Sequence, residues 1–158
     1  MQYSISQGLA VSGFELGNEL NLGNQYPPTT VGKDFSTLHG IMSSLYPTNR
    51  PLLIGPDETP DATFLATFLN STHEFLDVVT WHLYIGYGLD SSILSHPIKI
   101  DLNIDLTQQL LDPVFLDRIR SFSLPIVETK RAFAPNAQLW VGESAAAYHS
   151  GSQKSEKS

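Results

Sequence analysis

The sequence of residues 76–84 is Leu-Asp-Val-Val-Thr-Trp-His-Leu-Tyr, and this segment decides the fold. It is apolar and rich in β-branched and aromatic side chains, which is typical of a buried strand, and it ends in His82 and Tyr84. Three other segments have the same design, an apolar run that ends in polar side chains, and they are residues 11–19, 51–57 and 138–144. The sequence therefore predicts four short strands, each with reactive groups near its end.

Helical patterns separate these strands. Apolar side chains recur every three or four residues between positions 31 and 45, which is the spacing of one helix face. Residues 59–61 (Thr-Pro-Asp) predict the start of a second helix with Pro60 at its first position. Residues 112–113 (Asp-Pro) predict the start of a third, which Pro125 should kink or end before a short continuation. Strands that alternate with helices indicate an α/β fold with a parallel sheet.

Two stretches do not fit this alternation. Residues 85–111 are too long for a routine connection, and loops of that length are usually functional or disordered. Residues 150–158 contain no apolar side chain, so we expect a disordered tail after a single domain at residues 1–149.

Composition excludes several function classes. The chain has 158 residues, 41% of them hydrophobic, a net charge of −7 and no Cys, which excludes a disulfide scaffold, a Cys-zinc site and thiol catalysis. No Lys or Arg lies between Arg50 and Lys99 and no basic cluster exists elsewhere, so we expect no nucleic-acid partner. The His residues have no metal-ligand spacing, and we expect no metal and no other cofactor.

Two carboxylates occupy equivalent places in the pattern. Glu19 and Glu143 each follow a predicted strand, and functional residues of α/β folds lie beyond the carboxyl ends of the strands. Two carboxylates that face each other across a cleft are what cleavage of a glycosidic bond requires. Spacing alone leaves a second interpretation open, in which both are solvated loop residues.

Four motifs, in this order, resemble one enzyme family. They are Phe14-Glu15-Leu16-Gly17-Asn18-Glu19, Leu53-Ile54-Gly55-Pro56-Asp57, Val79-Thr80-Trp81-His82-Leu83-Tyr84 and Trp140-Val141-Gly142-Glu143-Ser144-Ala145-Ala146-Ala147-Tyr148. Together they resemble the (β/α)8 glycosidases, and within them glycoside hydrolase family 79, the heparanase-like β-glucuronidases. The resemblance implies a partial (β/α)8 TIM barrel, approximately strands four to seven. The remaining barrel strands and a β-sandwich are then expected in a parent protein.

The resemblance also implies a mechanism and a set of site residues. In a retaining glycosidase of this kind, Glu143 would be the nucleophile and Glu19 the acid/base. Asn18 would bind the sugar, Tyr84 would orient the nucleophile, and Tyr148 would meet the carboxylate of glucuronic acid. His82 belongs to the same substrate-binding set, although a hydrogen-bonded histidine at a strand end is the more common case.

The substrate implied is a saccharide that contains β-linked glucuronic acid. The basic residues that animal heparanases use for sulfated chains are not evident, which favours a neutral polysaccharide or glycoconjugate. Such enzymes work outside the cytoplasm, at cell surfaces or in lysosome-like compartments, although the first residues here do not have the pattern of a signal peptide. A second hypothesis is a non-catalytic fragment or pseudoenzyme that at most binds saccharide.

Residues beside the motifs have simpler interpretations. Asp57 at the end of a strand could touch substrate, but the sequence favours a solvated or capping carboxylate. Trp81 and Trp140 precede the reactive residues of their strands, which favours core packing over a sugar platform.

Overall fold

A computed structural model of the chain describes residues 1–85 and 111–145. Most of the predicted 85–111 insert, the predicted 150–158 tail and Tyr148 lie outside these residues. Four parallel strands form one sheet in the order β1-β2-β3-β4, which confirms the predicted α/β fold with a parallel sheet. The strands are β1 (Gly13–Glu15), β2 (Leu52–Glu58), β3 (Val78–Tyr84) and β4 (Gln138–Ala145).

Helices lie between and before these strands. They are α1 (Gln2–Ser6), α2 (Pro28–Leu45), α3 (Ala62–Thr72), α4 (Pro113–Leu116) and α5 (Arg118–Phe133). In the part of the chain that the structure describes, no helix combines the length and the hydropathy that a membrane span needs.

The helix starts confirm one sequence prediction and correct another. Asp112 caps α4 with Pro113 in the first turn, as predicted. Pro60 is not the first residue of α3, because Asp61 caps that helix by accepting the N–H groups of Thr63 and Phe64 at 2.9 Å. An acidic N-cap satisfies these free amides and also interacts favourably with the helix dipole.

Pro125 does not end its helix. The helical run breaks at Asp117, between α4 and α5, and α5 continues through Pro125 to Phe133. Proline removes one backbone hydrogen bond from a helix interior. The neighbouring Ile126 is fully buried in the core, and this packing holds the segment helical.

The core lies between the helices and one face of the sheet. Phe35 of α2 and Phe68 of α3 meet edge to face with ring centroids 4.9 Å apart, and both are fully buried. Trp81 of β3 is buried in the same cluster, as predicted. Trp140 corrects the other half of that prediction, because it is 42% exposed on β4, an edge strand of the described sheet.

An ion pair joins the amino ends of two central strands. The guanidinium of Arg50 contacts both carboxylate oxygens of Asp77, at 2.9 and 3.0 Å, immediately before β2 and β3. The same carboxylate accepts the backbone N–H of Leu53 at 2.7 Å. A two-point contact of this kind fixes the amino end of the sheet. The polar residues selected from the sequence lie at the carboxyl end.

Two β-bulges flank β3 at the carboxyl end of the sheet. Pro56 pairs with Thr80 but Glu58 pairs with Trp81, so Asp57 is an extra residue in β2. Trp81 pairs with Val141 but His82 pairs with Glu143, so Gly142 is an extra residue in β4. Paired residues share a face, and a shift of one residue moves a side chain to the opposite face.

The bulges therefore decide which acids lie near His82. With a regular ladder, Glu143 would pair with Leu83 and lie on the other face of the sheet. The bulge at Gly142 brings it onto the face of His82 instead. The bulge at Asp57 moves Glu58 away from the face of His82. Glu58 pairs with Trp81 and is buried on the helix side of the sheet.

Candidate active site

Four acidic and aromatic side chains converge on one imidazole ring at the carboxyl end of the sheet. The ring belongs to His82 of β3, and we call the group formed by Glu19, Asp57, His82, Tyr84 and Glu143 the His82 network. Its members come from β2, β3, β4 and the turn after β1. Parallel strands place their carboxyl ends at one edge, which explains why distant residues meet here.

His82 lies between two carboxylates. Its Nδ1 is 2.7 Å from Oε1 of Glu19 and its Nε2 is 2.8 Å from Oδ1 of Asp57. Oε1 of Glu143 lies 3.7 Å from the same Nε2. The imidazole is only 1% exposed, so these carboxylates take the place of water around it.

The electrostatics favour a charged ring. Burial lowers the pKa of His82, but the hydrogen bond to Glu19 and the charges of Asp57 and Glu143 oppose it, and the net result is a raised pKa. Ionised carboxylates only accept hydrogen bonds, so both ring nitrogens must donate. When Glu19 and Asp57 are both ionised, the geometry and the direction of the pKa shift of His82 therefore agree on an imidazolium.

The network also brings possible metal ligands together. One atom each of Asp57, His82 and Glu143 lies within 4.8 Å of the other two. A metal at Nε2 would require the ring to lose the proton that it donates to Asp57. The distances at both ring nitrogens are those of hydrogen bonds, so the three residues are better described as a hydrogen-bonded group.

Glu143 is held from the other side by Tyr84. The Tyr84 hydroxyl donates a hydrogen bond to Oε2 of Glu143, while Oε1 faces His82. This hydrogen bond, together with burial and the nearby carboxylates, raises the pKa of Tyr84 to about 12. The Glu143 side chain is 46% exposed, so a carboxylate fixed in orientation still faces solvent.

The turn that holds Glu19 is tied to the end of β2. Glu19 has a φ of 49°, and its backbone N–H donates to the carbonyl of Asp57 at 2.7 Å. Two residues on, the Asn21 side chain makes hydrogen bonds of 2.9 to 3.1 Å with the backbone N–H, carbonyl and hydroxyl of Thr59. These contacts hold the turn in a conformation that non-glycine residues rarely adopt.

Asp57 is fixed by backbone and side chain together. Its N–H donates to Oγ1 of Thr80 at 3.0 Å, and the Thr80 hydroxyl donates onward to Oε1 of Glu15 at 2.7 Å. A Cβ on Gly142 would lie 2.4 Å from Oδ1 of Asp57, so only glycine at that bulge leaves room for the carboxylate. The prediction of a solvated Asp57 is wrong, because burial and His82 hold it inside the site.

The structure thus brings together four of the site residues that the sequence selected. Glu19, His82, Tyr84 and Glu143 share one hydrogen-bonded group, and Asn18 is exposed beside Glu19. Glu143 lies within β4 rather than after it. The sequence did not identify Asp57 as a member of the site. The feature that could have identified it is its position at the end of a predicted strand, directly after Gly55-Pro56.

Comparison with known proteins identifies the family of the chain. A family model described as glycosyl hydrolase family 79, N-terminal domain, matches residues 1–158, and the chain belongs to that family. It is 29% identical to heparanase-like protein 2 of Arabidopsis thaliana over 98% of this chain and 28% of the relative. It is 27% identical to the heparanase of Rattus norvegicus over 96% of this chain and 27% of the relative. The chain thus spans little more than a quarter of the length of these relatives.

Proposed function

We propose that this member of glycosyl hydrolase family 79 supplies both catalytic carboxylates of a retaining glycoside hydrolase. Its substrate would be β-linked glucuronic acid in a polysaccharide or glycoconjugate. One observation carries the proposal. Glu19 and Glu143 come from opposite edges of the described sheet, yet both approach the same buried ring of His82.

The proposed roles follow from the surroundings of each carboxylate. Glu143 is the nucleophile, because Tyr84 and His82 fix its two oxygens while nearly half of its side chain stays open to a sugar. Glu19 is the acid/base, which protonates the leaving oxygen and later activates water. Retaining enzymes place the two carboxyl groups about 5–5.5 Å apart, and this is the separation that the proposed roles require of Glu19 and Glu143.

Further residues are proposed as contacts for the sugar. Asn18 is exposed beside Glu19, where its amide would meet a hydroxyl next to the reacting carbon. Tyr148 follows Glu143 by five residues and would meet the glucuronic carboxylate. His82 is buried, so its contribution to substrate binding would pass through the two glutamates that it orients.

The fold of the whole enzyme is part of the proposal. A parallel sheet with functional side chains at the carboxyl ends of its strands is the arrangement found in a (β/α)8 barrel. We therefore assign the four strands to about strands four to seven of a (β/α)8 barrel. The proposed location is outside the cytoplasm or in a lysosome-like compartment, as the heparanase-like relatives would favour.

The absence of a basic cluster bears on the substrate. No Lys or Arg lies between Arg50 and Lys99, a stretch that includes β2 and β3 of the site. A sulfated chain would need several cations to offset its charge, so a substrate without sulfate is favoured.

A saccharide-binding protein without turnover is the second candidate. It is favoured by the length of the chain, which spans little more than a quarter of its heparanase-like relatives. A barrel site is built from the ends of several strands, so four strands alone could bind a saccharide without completing the catalytic site.

Hydrolysis of p-nitrophenyl β-D-glucuronide separates the two candidates. The proposed enzyme releases nitrophenol, Glu143→Gln abolishes release, and the first sugar product has the β configuration by proton NMR. Glu19→Ala should retain turnover of this good leaving group and lose turnover of a polysaccharide. Glu128→Gln, an exposed acid on α5, is the matched control. Saccharide binding without any product would favour the second candidate.

A further inference from the structure

We propose that Asp57 and His82 are positioning residues that place the transferable proton of Glu19 on its Oε2 oxygen. This inference rests on the proposed function, since it concerns which oxygen of the acid/base carries the transferable proton. It adds a role for Asp57, which lies in the bulge of β2.

The direction of one hydrogen bond determines where the proton of Glu19 can lie. Nδ1 of His82 lies 2.7 Å from Oε1 of Glu19. When the ring is an imidazolium, Nδ1 carries a proton and Oε1 must accept it. If Glu19 is then protonated, its own proton has only Oε2 available, and Oε2 is the oxygen not bonded to His82.

A neutral ring would have the opposite effect. Its one proton would stay on Nε2, where Asp57 accepts at 2.8 Å, and Nδ1 would become an acceptor. The proton of Glu19 would then lie on Oε1 and be held by the histidine. Glu19 would remain protonated, but its proton would point into the protein instead of toward a glycosidic oxygen.

The charge of the ring is set by groups from every neighbouring element. Asp57 of β2 and Glu143 of β4 face Nε2, and Glu19 faces Nδ1 from the turn after β1. Tyr84, on the same strand as the ring, donates to Glu143 and leaves that carboxylate charged. These groups hold three potential negative charges around one buried cation, and together they raise the pKa of His82.

Within the described residues, the Asp57 carboxylate accepts a hydrogen bond from the His82 ring alone. Glu19 and Glu143 would change charge or form a covalent bond during the reaction. Asp57 is buried and is fixed by the Thr80 hydrogen bond and the space at Gly142. It therefore provides the constant negative charge that keeps His82 protonated while the glutamates react.

The proton balance is simple. In the first step the glycosidic C–O bond breaks, the anomeric carbon bonds to Glu143, and the proton on Oε2 of Glu19 moves to the leaving oxygen. In the second step water replaces Glu143 at that carbon and returns a proton to Oε2. His82 keeps both of its protons throughout and donates through Nδ1 to the carboxylate that forms.

Nitrogen-15 NMR of the imidazole rings tests the inference without any substrate. In the wild-type chain, His82 should be doubly protonated at pH 6.5, with a titration midpoint above that of an ordinary histidine. Asp57→Asn keeps the shape of the side chain, and asparagine tolerates the φ of 55° at this position. The variant should move the His82 midpoint toward acidic pH. Asp34→Asn removes an equal charge from the exposed face of α2 and should leave it unmoved.

A neutral His82 at pH 6.5 in the wild-type protein would overturn the inference, whatever the activity. Turnover supplies the second readout. The basic limb of the kcat/KM profile should follow the His82 midpoint and move with it in Asp57→Asn. At neutral pH that variant should lose part of the ~10²–10⁴-fold that general acid catalysis supplies.

The two hypotheses fail in different ways. If the ring titration moves in Asp57→Asn while the basic limb stays in place, the proton-placing role is wrong and the glycosidase remains. If no form of the protein releases sugar, the proposed function is wrong, and the ring titration still decides whether Asp57 keeps His82 charged.

Discussion

Replacing Glu58 with methionine should stabilise the protein, by an amount that grows with pH. The Glu58 side chain is 1% exposed, and within the described residues neither of its carboxyl oxygens has a hydrogen-bond partner. Burial, and then the charge of Asp61, raise the pKa of Glu58 well above the usual 4.5. The bulge in β2 places this acid opposite Trp81, whose indole N–H also lacks a partner in the described part of the chain.

The magnitude follows from proton linkage. Below about pH 4.5 the glutamate is protonated in both the folded and the unfolded chain, so it adds no pH dependence. Above that pH the unfolded chain loses the proton and the folded chain keeps it. The free energy of unfolding therefore falls by about 1.4 kcal/mol per pH unit until the pH reaches the folded pKa. Removing a buried unpaired polar group adds a further ~1–3 kcal/mol that does not depend on pH.

Urea unfolding at pH 5, 6 and 7 measures this effect. The free energy of unfolding of Glu58→Met minus that of the wild type should increase with pH, because contributions from all other groups cancel in the difference. Glu74→Met changes an exposed acid in the same way and should give a difference that does not vary. A constant difference for Glu58→Met would refute the reasoning, since it would mean that the buried acid is ionised or solvated in the folded protein.

Three further substitutions test other contacts. Tyr84→Phe removes the donor to Glu143, a bond to a charged acceptor worth about 1.5–3 kcal/mol, so kcat on an aryl glucuronide should fall about 10- to 150-fold with little change in KM. A kcat within twofold of the wild type would contradict this. Gly142→Ala places a Cβ 2.4 Å from Oδ1 of Asp57 and should cost about 1–3 kcal/mol of stability as well as turnover, which thermal unfolding and the same assay can check. Arg50→Met breaks the ion pair before β2 and should cost about 1 kcal/mol in urea unfolding, less in 1 M salt; a loss independent of salt would show that packing dominates.

The sequence was most informative where local pattern decides structure. The β-branched run before His82 predicted β3, and the Asp112-Pro113 pair predicted the start of α4. The first residue of α3 was harder to predict from the sequence, because Thr59, Pro60 and Asp61 can each begin a helix. In the structure Thr59 is engaged with Asn21, which leaves Asp61 as the cap.

The sequence predicted which residue types form the site but not which of them contact one another. The motifs selected Glu19 and Glu143, but their common partner depends on two bulges that no periodicity reveals. The bulge at Asp57 also places Glu58 opposite Trp81, where it is buried, and nothing in the sequence predicts this. Trp140 was expected in the core because it precedes the reactive residues of its strand, and its exposure follows from its place on an edge of the described sheet.

The bulge at Asp57 should allow this residue to be deleted without misaligning the sheet. Removing one residue from a central strand normally misaligns everything that follows. Here Asp57 is the residue without a partner in the ladder, so its loss would restore a regular pairing between β2 and β3. Relatives with a one-residue gap at this position should keep the sheet and lose the carboxylate that faces His82. In an alignment, such a gap would distinguish relatives that keep only the sheet from relatives that also keep the carboxylate facing His82.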